Sequence, residues 1–347
     1  MDSSSPRNNA YSDSGKDIVP WIFLQPKKLQ KSSFPTQCFL HSCTQIGSKI
    51  LIYGGSDYNG EAIRQLFIFD TISLEWSVPT DESEFQEDHP GSRYGHTATL
   101  IGLHPPKIFV YGGMVGRTNT YEFDSPDGME AQGDARSQVR SFMNWRRRGK
   151  KNGIGEEADD SVYFLEMTAD KWKWNKPLTI GGRAARPIAR AEHSASKSST
   201  NEMTIFGGWT DRPSNEMWIF HTVDLEWRQV TPEAVGGERE RGREGETMTG
   251  SGSVWPRPRY RHTSEVIGGE LYILGGADNG SDVAEGARHL SLHVYNYSRC
   301  EWRHPSLSGA NPFPRSGHDS EVIGGRSIVV FGGKRSNKVR GRERERE

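Results

Sequence analysis

Five times along the chain, a run of strand-forming residues ends in two adjacent glycines. "KILIYGG" closes at Gly55, "KIFVYGG" at Gly113, "EMTIFGG" at Gly208, "ELYILGG" at Gly276 and "SIVVFGG" at Gly333. Glycine in a strand gives up side-chain packing and loses the most backbone entropy on folding, so its recurrence implies a geometric need. A feature that returns at intervals of tens of residues makes the fold a stack of one repeated unit.

The rest of the unit can be read by alignment on those glycines. Upstream stand "HSCTQIG" at His41, "HTATLIG" at His96, "HTSEVIG" at His262 and "HDSEVIG" at His318, with "HSASKSS" at His193 a weaker copy. Each His precedes the first glycine of its pair by 13 to 16 positions. Downstream come "LFIFDTISLEW" to Trp76, "YFLEMTADKW" to Trp172, "WIFHTVDLEW" to Trp227 and "HVYNYSRCEW" to Trp302, with Asp70, Glu166, His221 and Asn296 each six positions before the Trp. Short β-rich runs bounded by Gly, Asn, Asp and Ser read as antiparallel strands. The unit is therefore a His-led strand, a turn, a strand ending in Gly-Gly, a variable loop, a third strand, a tight turn and a Trp-led fourth strand. Successive His residues lie 55, 97, 69 and 56 positions apart, the middle steps being lengthened by insertions.

This unit resembles the kelch repeat, one blade of a β-propeller. The resemblance rests on the double glycines, the spaced Trp residues and the lead-ins "RYGH" (Arg93 to His96) and "RSGH" (Arg315 to His318). "RYRH" at Arg259 departs only at the glycine and "RAEH" at Arg190 departs further. It covers residues 38–333 and implies an all-β, kelch-type propeller of four-stranded antiparallel blades, with about five blades present and the last incomplete. It also implies that the glycines admit bulky aromatics at close range, and that Trp76, Trp172, Trp227 and Trp302 are core residues. The final copy stops after Gly333 without a third strand or Trp. "VPWIFLQP", containing Trp21, resembles the Trp-led strands, so the ring is expected either to be incomplete or to be closed in an unusual way, by residues 19–25. The expected organisation is an N-terminal tail over 1–17, a propeller over 18–333 and a charged, sign-alternating tail over 334–347.

In a four-stranded meander the His-led start, the Gly-Gly end and the link to the next unit share one face. That face carries the length variation. About forty extra residues, roughly 117–160, follow the second Gly-Gly, and another insertion over 232–255 follows Trp227. Repeat arrays tend to concentrate insertions and binding on one face.

Several chemistries find no pattern to support them. There is no H-E-x-x-H, C-x-x-C, Walker loop or G-x-S-x-G elbow, and no run of about 20 apolar residues for a membrane helix. Three cysteines, Cys38, Cys43 and Cys300, are too few for a disulfide framework and point to a reducing compartment, the cytoplasm first and the nucleus second. A net charge of −1 supplies no general pull toward nucleic acid. Five His residues, one per blade, are spread around a ring and do not converge as metal ligands must. Each is expected to hydrogen-bond its own local turn.

The expected function is a non-catalytic interaction module that takes another protein on the elaborated face, with no cofactor, metal or catalytic residue. The candidate contacts are Trp145, Arg146, Arg147, Arg148, Lys150 and Lys151, from "WRRRGKK" in the long insertion, together with Trp209, Asp211 and Arg212 of "GGWTDRP". Guanidinium groups suit carboxylate or phosphate, and the Trp supplies an apolar anchor. The alternatives are a solvated insertion, a closed turn around Pro213, and an enzyme of the galactose oxidase-like or another metal-dependent type with its site in the central channel.

Overall fold

The computed structural model describes residues 35, 38–57, 60–79, 88–115, 157–168, 171–180, 185–231, 247–248, 254–278, 289–310 and 312–335. Their regular structure is almost all strand. The first blade is the meander β1 (Ser42–Ile46), β2 (Lys49–Tyr53), β3 (Leu66–Asp70) and β4 (Glu75–Ser77). Then come β5 (Arg93–Tyr94), β6 (Thr97–Leu103), β7 (Pro106–Tyr111), β8 (Met114–Val115), β9 (Glu157–Ala158), β10 (Val162–Thr168) and β11 (Lys171–Asn175). Of these, β6, β7, β10 and β11 make the second blade, and β5, β8 and β9 a small separate sheet.

The third blade is β12 (Ser194–Lys197), β13 (Glu202–Phe206), β14 (Met217–His221) and β15 (Glu226–Val230), followed by the ribbon β16 (Thr247–Met248) and β17 (Val254–Trp255). The fourth is β18 (Thr263–Ile267), β19 (Glu270–Leu274), β20 (Leu292–Asn296) and β21 (Glu301–Arg303). The last copy is the hairpin β22 (Arg315–Ile323) and β23 (Ser327–Arg335) alone. Four complete antiparallel blades and a two-stranded fifth thus form the propeller. Residues 19–25, expected to close it, lie outside the described residues.

The spacing from polar residue to Trp has a local cause. Asp70 Oδ1 accepts the backbone N–H groups of Ile72 (2.8 Å) and Ser73 (3.1 Å), and Asn296 Oδ1 accepts that of Arg299 (2.9 Å). The two bonds hold the Asp70 carboxyl below its usual range. Each turn ends on a left-handed residue, Leu74 (φ 59°), Leu225 (φ 60°) or Cys300 (φ 56°), which turns the chain into the Trp-led strand.

The core lies between blades. Leu51, Tyr53, Ile108 and Trp174 join the first two; Phe109, Tyr111, Ile205, Phe220 and Trp227 the second and third; Phe206, Met217, Tyr295 and Trp302 the third and fourth. Trp227 and Trp302 are buried as expected. Trp76 and Trp172 are only half-buried. In the second blade Trp174, two residues on and so on the same face of the strand, covers Tyr53 at a ring distance of 4.9 Å. Trp76 stacks on Phe69 of its own sheet at 4.9 Å.

Candidate interaction face

The double glycines are needed where blades meet, and their neighbour is histidine. A Cβ on Gly54 (φ +65°) would stand 2.5 Å from the Arg93 carbonyl oxygen and 2.8 Å from His96 Cε1 of the next blade. One on Gly55 (φ +101°) would stand 2.9 Å from His41 Cβ of its own blade. The same contacts recur at Gly112 and Gly113, Gly207 and Gly208, and Gly275 and Gly276. The expected close approach is therefore real, but it is made to imidazole and backbone.

Nor does each His serve its own turn. His96 shares a hydrogen bond with Ser42 Oγ (2.9 Å), His193 with Thr97 Oγ1 (2.9 Å), His262 with Ser194 Oγ (2.9 Å) and His318 with Thr263 Oγ1 (3.1 Å). Every pair spans two blades and puts the ring of one beside the residue after His in the blade before. Burial keeps His96, His193 and His262 well below the ordinary imidazole range, helped by Arg93, Arg190 and Arg259 respectively. Burial brings His318 down to about 4.

The lead-in arginines fix the bases of the loops above. Arg93, Arg190, Arg259 and Arg315 donate through Nη1 to the carbonyls of Gly112 (2.7 Å), Gly207 (2.9 Å), Gly275 (2.9 Å) and Gly332 (2.9 Å). Arg93 also pairs with Asp159 at 3.0 Å, and Arg190 with Glu216. Burial acts to raise the Asp159 pKa, but the Arg93 charge and the Ser161 N–H bond outweigh it and hold the carboxyl below its usual range. The guanidinium groups of Arg93, Arg190 and Arg259 are buried braces, that of Arg315 on the last hairpin is not, and Asp159 ties the far end of the long insertion to the ring.

At the axis, Leu40, Gly95, Glu192, Arg261 and Gly317 occupy one repeat position, directly before the His, and all have φ between 56° and 66°. Their backbones bond head to tail: Gly95 N–H to Leu40 O (2.8 Å), Glu192 to Gly95 (2.7 Å), Arg261 to Glu192 (2.9 Å) and Gly317 to Arg261 (2.8 Å). The two departures from glycine in the lead-ins thus keep the glycine backbone. Their side chains pair at 3.1 Å, placing Glu192 and Arg261 together near the axis. Sequence reading passed them over, although the departures in "RAEH" and "RYRH" were the available signal.

Trp209, Asp211 and Arg212 form a closed turn. Trp209 bridges to Pro213 and, on the other side, to Ala191, donating to the Ala191 carbonyl at 2.7 Å. Thr210 Oγ1 donates to Asp211 Oδ1 (3.0 Å) and the Arg212 carbonyl (3.1 Å). The half-buried Trp209 ring stands edge-on to Tyr260 at 5.1 Å, while Asp211 and Arg212 project with side chains 80 % and 83 % exposed. Trp209 therefore supports the loop and the two charges form its tip. Trp145, Arg146, Arg147, Arg148, Lys150 and Lys151 lie outside the described residues.

Loop length separates the two faces. Links on the face away from the double glycines are four residues or fewer, as at 47–48, 104–105, 198–201 and 222–225. Those on the Gly-Gly face are ten or more, as at 54–65, 112–161, 207–216 and 275–291.

The sequence profile of the KLHDC2/KLHL20/DRC7 Kelch-repeats domain matches residues 149–342, more than half of the chain. Host cell factor of Drosophila melanogaster is 24 % identical over 254 residues, 71 % of this chain and 13 % of that protein. Adagio protein 3 of Arabidopsis thaliana is 24 % identical over 316 residues, 86 % of this chain and 47 % of its own length. Kelch domain-containing protein 3 of Homo sapiens is 21 % identical over 307 residues, 80 % and 73 % of the two chains. The chain thus spans less than half of the first two relatives. Among the described residues, no helix is long and apolar enough to cross a membrane.

Proposed function

Because this chain belongs to the kelch-repeat family of β-propellers, we propose that it is a non-catalytic module that binds another protein through its Gly-Gly face. The observation that carries the reading is the inequality of the two faces, ten or more residues per link against four or fewer. Short links suffice to join strands, so the added length on one side serves something other than the fold. Buried arginine braces and inter-blade histidines make a rigid platform under those loops, which limits the ordering cost of binding. The exposed Asp211 and Arg212 tip offers charge to a partner, and the basic run from Arg146 to Lys151 in the longest link offers bidentate donors for acidic groups. The cytoplasm is the proposed compartment, in keeping with the free thiols of Cys38, Cys43 and Cys300.

The test is affinity purification with the wild-type chain, with Arg146, Arg147 and Arg148 changed to Glu, and with Asp211 and Arg212 changed to Ala. Loss of the same partner from both variants, with the fold intact by circular dichroism, is the expected result. Equal recovery from all three would refute binding through this face.

A further inference from the structure

Beside the histidine bonds, a second series of side chains joins the blades. Thr44 Oγ1 donates to the Ala98 carbonyl (3.0 Å), Thr99 Oγ1 to that of Ala195 (3.3 Å) and Ser196 Oγ to that of Ser264 (2.9 Å). Each donor stands three positions after the His of its blade, and each acceptor two positions after the His of the next. In the fourth blade the donor position holds Glu265. An ionised carboxylate accepts and cannot donate, and here the bond is reversed: Ser320 Oγ of the last hairpin donates to Glu265 Oε1 at 2.7 Å.

The charges around Glu265 do not favour its ionised form. Asp319 and Glu321 flank Ser320 on β22 and act on it as like charges. On its own sheet Tyr272 stands directly opposite, with its hydroxyl on Glu270 (3.1 Å), and Glu270 is in turn bonded by Asn296 and Arg303. From the third blade, Ser196 bonds Ser264, and the Lys197 ammonium is spent on the Ile101 carbonyl (2.6 Å). Burial at the joint, with Glu321 and Asp319 adding to it and the Ser320 bond opposing, pushes the Glu265 carboxyl up to about 7.

The hairpin that bears Ser320 is held from one side. Phe331 stands just before its double glycine, as Tyr53, Tyr111, Phe206 and Leu274 do. Those four are 3 %, 0 %, 0 % and 5 % exposed, whereas Phe331 is 78 % exposed. A lone two-stranded sheet is marginal in water, so the hairpin relies on its joint to the fourth blade. There it is fastened by Gly317 N–H to Arg261 O (2.8 Å), Gly276 N–H to Arg315 O (3.0 Å), His318 with Thr263 (3.1 Å) and Ser320 with Glu265.

We propose that Glu265 and the inner strand of the last hairpin form a proton-operated latch: a proton on Glu265 seats the β22–β23 hairpin on the fourth blade, and its loss loosens the hairpin. The proton removes a charge that faces two others across the joint and gives Glu265 a hydrogen to donate, as the hydroxyls do at the earlier joints. Because the seated carboxyl titrates above its ordinary value near 4.5, its contribution to seating is complete below about pH 4.5 and is lost as pH rises through about 7. His318 acts in the opposite sense, since the seated ring, at about 4, refuses a proton that a detached ring would take up.

The test is hydrogen exchange of the full chain, read by mass spectrometry on peptides within 315–335 and corrected for the intrinsic rate at each pH. Wild type is compared with E265Q, which keeps a donor and an acceptor but does not titrate; the His318 effect is common to both and cancels in their ratio. Relative to E265Q, wild-type protection is expected to fall about tenfold between pH 6 and pH 8. Peptides within 194–230 of the third blade should keep a constant ratio. D319N/E321Q should move the wild-type transition to lower pH, by removing the like charges. A constant ratio over 315–335 would overturn the proposal, as would an equal change over 194–230, which would mean that the whole fold responds. A transition left in place by D319N/E321Q would overturn the part given to the hairpin's charges, and that variant reads the latch even if E265Q folds poorly.

Discussion

The interface between the third and fourth blades and the surface of the last hairpin are built from the same residue types. At the first, Phe206 is fully covered by Trp302 and by the edge of the His262 ring. At the second, Phe331 occupies the same repeat position, and among the described residues nothing stacks on it beyond its own sheet. The residue is prepared for burial by its place in the unit, yet its burial depends on the next unit arriving. Stability in this molecule therefore belongs mainly to the joints and only partly to the blades.

The comparison breaks most visibly if a joint residue proves dispensable. Trp227→Ala, in a buried joint, should destabilise by about 3–5 kcal/mol, while Trp76→Ala, half-buried on its own sheet, should cost about half as much. Chemical denaturation of both variants measures this, and equal losses would mean that the joints do not dominate. Close behind comes glycine. Gly208→Ala places a Cβ 2.7 Å from His193 Cβ at φ +96°, whereas Gly324→Ala, at φ +60°, meets nothing within 4 Å. The first should cost about 2–4 kcal/mol and the second about 1 kcal/mol, the ordinary penalty of the left-handed conformation.

Protonation sharpens the contrast further. His96, His193 and His262 are held neutral in the folded state by burial, so their folded pKa values lie below the unfolded value near 6.5. Their contribution is complete above about pH 6.5, and it is lost as pH falls from there toward the folded values, because the unfolded chain takes up protons that the fold refuses. Urea midpoints should fall steadily between pH 7 and pH 5. His193→Gln should flatten that slope more than His41→Gln, since His41 is less buried and the Asp319 charge favours its protonation. The smallest effect is expected at the loop tip. Asp211→Ala should change stability by no more than about 0.5 kcal/mol, being exposed, while reducing recovery of a partner in pull-down.

Much of this could be read in the chain. The double glycines, the His-led and Trp-led strands and the incomplete last copy all appear where the spacing puts them, because each reflects a local backbone requirement repeated in register. The partners of those residues were harder to see. Nothing in "HSASKSS" says that His193 reaches Thr97, 96 positions earlier, since that contact exists only once two blades stand side by side. Trp174 displaced Trp172 for a similar reason. Both lie on one face of β11, and the choice between them depends on where Tyr53 of the neighbouring blade falls. The ion pair of Glu192 and Arg261 left its mark only as two departures from glycine, which read as weaker copies of a motif when they are a substitution with its own pairing.

The head-to-tail bonds through Leu40, Gly95, Glu192, Arg261 and Gly317 have a consequence for how the molecule comes apart. A circle interrupted at one place is a line, and a line has ends. Opening then begins at the terminal links and moves inward one hinge at a time, as in a row of fastened buckles. The amides of Gly95 and Gly317, which make the two terminal links, exchange with solvent first, and those of Glu192 and Arg261, which make the two inner links, last. The platform under the third blade, from which Asp211 and Arg212 project, is thus the part of the ring that stays assembled longest.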